Sequence, residues 1–460
     1  MEYIYFNKDV YIILFEKVRI MHIENEISIY DFVCAISEAV DFISPSMNNH
    51  HKMVSYISYR IAQEAKLPEN EVQNIILASI LHDIGAFSVE ERIKSSIYES
   101  RAVEENHHAL MGYKLLKCFE PLSNAANLIK HHHIHYGKSK LNVPIGSYII
   151  NLADSISVLF NEHREILEQA PTILAKISQR KDEFHPDLLT VFYELAKKEY
   201  FWLEAFYPSF GDNILKKMYF SKLIVDMDTL RSFAKLTAQI IDFRSRFTAT
   251  HSSGVAAVAK SLTDISGYPV AVCKMMEIAG FLHDVGKLAV SNGILEKNGK
   301  LNSMEYNSIR KHTYYTYFIL SRIKGLEHIA SWAAYHHERE DGNGYPFHVK
   351  GEDFSHLARI MAVADIVTAL TEDRPYRLGM NREKSTKILH DMADNGGVDK
   401  SIIKLVDENF FQINDVRIQA QQESKREYEA FYKTDRKDEK LKPSYSVPGQ
   451  RVLIPATCAP

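Results

Sequence analysis

The chain repeats itself, and that repeat limits the architectures open to it more than any other feature. "LHDIGAFS" at 81–88 returns as "LHDVGKLA" at 282–289, and His50 stands as far ahead of His82 as His251 does of His283. Further along, "ENHHALMGYKLL" matches "IRKHTYYTYFIL", "IKHHHIHYG" matches "AYHHEREDG", and "YIINLADSISVL" matches "RIMAVADIVTAL". "FHPDLLTVF" at 184–192 also resembles "VDKSIIKLV" at 398–406. Order and approximate spacing survive across these matches, which is the mark of one structural unit used twice.

The unit is helical. Segments such as "EVQNIILASILHD" and "AVCKMMEIAGFLHD" carry apolar residues at three- and four-residue spacing, and alternating strand patterns are scarce. The expected fold is all-α, with two tandem domains joined by a helical connector. The outermost matches give boundaries: an N-terminal extension over 1–30, a first copy over 31–205 and a connector over 206–227. A second copy follows over 228–415, and 416–460 reads as a solvated charged helix with a mobile proline-rich tail. A length of 460 residues suits two such domains.

Composition narrows the function. A formal charge of −4 argues against a surface built to coat nucleic acid, although a local basic pocket for a small phosphorylated ligand remains open. Cys34, Cys118, Cys273 and Cys458 are scattered without a CxxC pair, which fits a reducing compartment and excludes a cysteine-based zinc ribbon. The early apolar run Val10–Phe15 is too short to span a bilayer, and no signal-peptide pattern follows it. The expected location is the cytoplasm.

The 21 histidines fall in tight groups. In the second copy the repeat lines up His251, His283, Asp284, His312, His336, His337 and Asp365. Asp365 interrupts "IMAVADIVTAL", an almost wholly apolar helix, so its carboxylate should face the interior. A buried carboxylate costs several kcal/mol unless a cation or hydrogen-bond donors compensate it. Taken singly, a His-Asp dipeptide is an ordinary helix cap, and a His-His pair is ordinary surface. Seven such residues recurring in one order point instead to metal ligation. Imidazole and carboxylate without thiolate favour iron or manganese, with zinc or nickel as alternatives. Seven donors exceed the needs of one ion, whereas two divalent ions bridged by Asp284 would use them. Paired metals suit in-line displacement at phosphorus, where they activate a bridging hydroxide and neutralise the phosphoryl oxygens.

"HDVGK", His312, "HHEREDGNGYP" at 336–346 and "VADIVTALTEDRPYR" together resemble the HD-GYP family of bacterial cyclic-dinucleotide phosphodiesterases, a subset of the HD-domain metal-dependent phosphohydrolases. The resemblance covers about 245–410, and the HHExxDGxGYP spacing is complete. It implies an HD-type helical fold and the seven metal ligands named above. It gives catalytic roles to Asp284 and Lys287, with Lys287 at the scissile phosphate or leaving group. Phosphate-holding roles fall to Arg374 and Arg377, and Tyr345 lies in the substrate loop. The implied substrate is cyclic di-GMP, cleaved to pGpG or GMP, with 3′,3′-cyclic GMP-AMP as the alternative and a non-catalytic dinucleotide effector as a further one. Three-metal members resemble one another in a glutamate four residues before the first histidine. Phe247 stands there in this chain, so two metals are expected. The "SGYP" at 266–269 lacks the preceding histidines and reads as an inter-helix turn.

The first copy keeps the donor types as His50, His82, Asp83, His108, His131, His132 and Asp154, with His51, His107 and His133 as adjacent alternatives. Ala86 replaces Lys287, "HYGKSK" replaces the Gly-Tyr-Pro run, and no "RPYR" follows Asp154. It resembles a degenerate HD domain. The leading expectation is metal binding without turnover, as a sensor or as the surface for a homodimer or signalling partner. A distinct hydrolase and a purely structural domain are the other two readings.

Overall fold

The structure is a computed structural model that describes residues 27–41, 49–86, 106–137, 142–161, 163–207, 215–220, 225–242, 250–295, 297, 299–373 and 377–432. The fold is all-α, as expected, with no β-strand among the described residues.

In the first copy the helices that build the site are α1 (Ile29–Asp41), α2 (His50–Glu64), α3 (Glu69–Leu81), α4 (Asn106–Leu116), α5 (Ser123–Lys130) and α6 (Ile145–Ser157). Then come α7 (Ile166–Gln179), α8 (Pro186–Leu195) and α9 (Glu199–Phe206). The second copy repeats the first six as α10 (Met227–Asp242), α11 (His251–Ile265), α12 (Val270–Leu282), α13 (Ser303–Leu320), α14 (Glu327–Ala334) and α15 (His356–Thr371). It closes with α16 (Arg382–Asp394), α17 (Lys400–Glu408) and α18 (Phe410–Tyr432).

Local chemistry sets several of these starts. Asn302 and Glu305 form a reciprocal capping box at α13, and the Ser355 side chain accepts from the Ala358 amide at α15. Pro269 precedes α12 as Pro68 precedes α3, so even the punctuation repeats.

One glycine in each copy positions the site. A Cβ at Gly286 would lie 1.9 Å from the His312 carbonyl oxygen, and one at Gly85 would lie 2.1 Å from that of His108. Only glycine lets α13 or α4 come this close to the turn after the His-Asp dipeptide. In the second copy the approach is sealed by Thr316, whose hydroxyl donates to the His283 carbonyl and accepts from the Gly286 amide.

The two copies share one apolar core. Helix α1 of the first copy packs on α13 and on the 3-10 segment Val285–Ala289, which carries Lys287. Helix α10 packs reciprocally on α4. Within the connector, Lys216–Phe220 forms a π-helical turn, and Phe220 stacks on Tyr30 with ring centroids 4.6 Å apart.

The C-terminal segment departs from expectation. Helix α18 is not a solvated charged helix: it lies along α11 and buries Phe410, Ile413, Arg417 and Ser424. Lys235 of α10 pairs with Glu423 and Glu427 on it. The tail over 433–460 lies outside the described residues.

Candidate metal centre

Each expected donor of the second copy sits at a helix end or on a packed helix face. His251 opens α11, and His283 and Asp284 close α12. His312 lies within α13, His336 and His337 form the 3-10 turn after α14, and Asp365 lies within α15. The structure brings all seven together in two groups. In the first, His251 Nε2 lies 3.1 Å from Asp365 Oδ1, with His283 alongside. In the second, His312, His336 and His337 converge. Asp284 lies between the groups. Its Oδ2 is 3.1 Å from His283 Nε2, and its Oδ1 is 3.4 Å from His312 Nε2 and 3.9 Å from His336 Nε2.

The hydrogen bonds around the rings decide which nitrogens carry protons and which carry lone pairs. His283, His312 and His336 each give Nδ1–H to the carbonyl three residues back, of Gly280, Ile309 and Ala333, at 2.8, 2.6 and 2.7 Å. A neutral ring with its proton on Nδ1 has only a lone pair on Nε2. Burial, first, and neighbouring histidines push His336 down to about 3; burial likewise depresses His312 and His337 to about 3. His312 Nε2 and His336 Nε2 nevertheless lie 3.1 Å apart, lone pair towards lone pair. Beside them Asp284 Oδ1 is buried without a hydrogen-bond partner. Such an arrangement is unfavourable by itself and favourable around a cation, so these residues fit a metal.

Lys287 Nζ lies 2.5 Å from Asp284 Oδ2. Burial opposes its charge, but Asp284 outweighs burial and holds the ammonium above its ordinary value. Burial would likewise raise Asp284, yet His283 and Lys287 hold it well below the carboxylate range.

The Tyr345 ring sits 5.0 Å from that of His337, and the Arg310 guanidinium lies over the Tyr345 ring, 4.8 Å from its centroid. The loop that carries Tyr345 is held from within. Glu338 Oε1 accepts the Phe347 and His348 amides at 2.7 and 3.1 Å, and the Tyr345 amide donates to the His337 carbonyl. Arg377 Nη2 donates to the Ala369 carbonyl in the last turn of α15. Arg374 and Phe247 lie outside the described residues.

The first copy builds the same figure. His50, His82 and Asp154 form one group, and Asp83, His108, His132 and His133 form the other. Asp83 spans them, 3.5 Å from His82 Nε2 and 3.1 Å from His108 Nε2. One expectation needs correction: His133, not His131, completes the second group. His131 caps the C-terminus of α5, whereas His133 Nε2 lies 2.9 Å from His108 Nε2. The helix phase explains the shift. His132 Nδ1 bonds the Ile129 carbonyl at 2.7 Å as His336 bonds that of Ala333, so 132–133 corresponds to 336–337. The Nε2 atoms of His82 and His132 are buried without hydrogen-bond partners. Ala86 is fully buried where the second copy has Lys287.

Two family models match, each described as an HD domain, one over residues 48–187 and one over 235–402. The chain belongs to the HD-domain family, in tandem. It is 28% identical over 406 residues to a 3′3′-cGAMP-specific phosphodiesterase of Vibrio cholerae, an alignment that covers 85% of this chain and 93% of the relative. It is 36% identical over 160 residues to a cyclic di-GMP phosphodiesterase of Pseudomonas aeruginosa, covering 34% of this chain and 38% of that one. A solved structure of a cyclic GMP-AMP specific phosphodiesterase from V. cholerae shares the fold, with a TM-score of 0.58 at 22% identity over 83% of this chain and 97% of that one.

Several residues around the C-terminal HD domain's centre escaped the sequence reading. Glu372 faces His251 Nδ1, Arg310 stacks on Tyr345, and Asp242 receives the Ser252 amide and hydroxyl beside the start of α11. Glu372 and Arg310 have no metal-donor counterpart in the first copy, whereas Asp242 does recur, as Asp41 at the interval that separates His50 from His251.

Proposed function

We propose that the C-terminal HD domain is a metal-dependent phosphodiesterase that hydrolyses a bacterial cyclic dinucleotide, with 3′,3′-cyclic GMP-AMP preferred over cyclic di-GMP. The observation that carries this reading is the Asp284 carboxylate spanning two buried histidine groups. Two divalent cations fit it, held by His251, His283 and Asp365 on one side and by His312, His336 and His337 on the other. Donors without thiolate suit iron or manganese. When bound, such cations supply charge neutralisation at the phosphoryl group and lower the pKa of water.

The chain's own residues do the remaining work. The partly buried Lys287 ammonium offers a proton and a positive charge to the oxygen that leaves phosphorus as the ring opens. Nδ1 anchoring of three histidines to main-chain carbonyls fixes their donor atoms before any ligand arrives, so little reorganisation is needed. Tyr345, in contact with His337 and Arg310, brings an aromatic ring and an adjacent guanidinium to the rim for a nucleotide. The preference for 3′,3′-cyclic GMP-AMP is supported by the relative that aligns through both copies. The cyclic di-GMP reading is supported by a relative that aligns over about a third of the chain.

For the N-terminal HD domain the proposal is metal binding without turnover, because the donors are kept while Ala86 replaces the lysine. The test of the main reading is Asp284→Ala. Loss of bound metal from the C-terminal domain together with dinucleotide hydrolysis supports it; hydrolysis at the wild-type rate refutes it.

A further inference from the structure

His251 is anchored differently from the other rings. His283, His312 and His336 give their Nδ1 protons to neutral main-chain carbonyls. His251 Nδ1 instead faces both oxygens of Glu372, each at 3.1 Å. Glu372 follows α15 directly and is buried. In the N-terminal HD domain the corresponding His50 Nδ1 meets the Ser157 hydroxyl, at 3.1 Å. Among the described residues, the carboxylate partner is therefore seen in the second copy.

Glu372 is itself held from the C-terminal helix. Gln421 of α18 donates from Nε2 to Glu372 Oε2 at 3.0 Å. The Gln421 side-chain Oε1 accepts from the buried Arg417, which also donates to Asn414 Oδ1 at 3.1 and 2.8 Å. Helix α11 makes room for this side chain: a Cβ at Gly254 would lie 2.9 Å from Gln421 Nε2. A continuous chain of hydrogen bonds thus runs from α18 through Gln421 and Glu372 to His251 and on to Asp365.

We propose that Glu372 is a positioning residue for the metal centre, and that Gln421 makes α18 part of that centre. An imidazole that donates to a carboxylate is locked in one tautomer and becomes a stronger donor through its other nitrogen; removing such a partner typically weakens metal binding about 10- to 100-fold. One of the two ions, the one next to His251 and Asp365, thereby depends on a helix that lies beyond the repeated unit. The inference rests on reading the cluster as a metal centre.

The test uses the full chain, stripped with chelator and titrated with Mn2+ alone. Bound ions are counted after dialysis against a weak competing chelator. Glu372→Gln preserves shape and removes the charge. The expected result is one ion fewer per chain than wild type, about 10- to 100-fold weaker binding at that site, and unchanged melting of the metal-free protein. Gln421→Leu should weaken the same ion by a smaller factor, and Glu372→Asp should retain part of the affinity. Wild-type ion number and affinity in Glu372→Gln would overturn the inference while leaving the metal centre intact. Absence of Mn2+ binding by the wild-type chain would overturn both.

Discussion

Phe32 packs edge-on against Phe233, its own counterpart in the other copy, with ring centroids 4.5 Å apart and planes at 72°. The two residues are separated by the same interval in sequence as His50 and His251. A residue that meets its own equivalent marks a two-fold relationship, here inside one chain. Phe119 also packs against Phe233, with ring centroids 5.1 Å apart, and Arg322 reaches across to Glu38 at 2.6 Å. The same contact surface brings α1 onto the segment that carries Lys287.

Phe233→Ala removes a ring that contacts two aromatic residues of the first copy. Truncation of a buried phenylalanine costs about 3–5 kcal/mol. The expected outcome by calorimetry is a single wild-type unfolding transition that separates into two, one for each HD domain. A wild-type melting profile in the variant would show that the copies do not stabilise one another through this contact.

Lys287→Ala should abolish turnover without removing metal, because the lysine touches Asp284 but offers no donor to the cation sites. A loss of about 100-fold or more in kcat is the size expected when a positioned charge is removed from a transition state. Metal content measured on the same sample should equal that of wild type. This substitution reproduces in the second copy what Ala86 represents in the first.

In the N-terminal domain, His82→Ala combined with Asp83→Ala should release metal from that copy and leave dinucleotide hydrolysis largely intact. Elemental analysis and turnover on one preparation check both halves. Unchanged metal content would leave the first copy a structural domain, and lost turnover would make it part of the active machinery.

Asp242 gives a pH signature. Burial pushes its carboxyl from 3.8 up to about 7 against the opposing pull of His251 and Ser252. The folded state therefore keeps a proton that the unfolded chain has lost, so this contribution to stability is full below about 3.8 and is lost as pH rises through about 7. Asp242→Asn mimics the protonated form. In metal-stripped protein its stability relative to wild type should rise with pH across that window and level off above it, as read by denaturant unfolding. A pH-independent difference would contradict the assignment.

The parts of the site that were legible in sequence are those written in rare chemistry and written twice. His283, Asp284, His312 and Asp365 could be read because each had a partner in the first copy at a comparable place. The His131 assignment failed by one position, because three adjacent histidines offer no composition signal and the choice falls to helix phase at the end of α5. Glu372 was hidden in "TEDRPYR", where a carboxylate among charges looks solvated. Its burial comes from α18, and that helix was misread for the same reason. Charge dominates its composition, yet Phe410, Ile413, Arg417 and Ser424 recur at helical spacing on one buried face. That periodicity was the available signal. Asp242 did carry one, since Asp41 stands as far ahead of it as His50 does of His251.

The most direct test is turnover by the purified full chain of 3′,3′-cyclic GMP-AMP and cyclic di-GMP, side by side, with Mn2+ or Fe2+ added. The account predicts metal-dependent opening of both rings to linear dinucleotides, faster for 3′,3′-cyclic GMP-AMP, and none after chelation. Absence of hydrolysis of either substrate with either metal would contradict it.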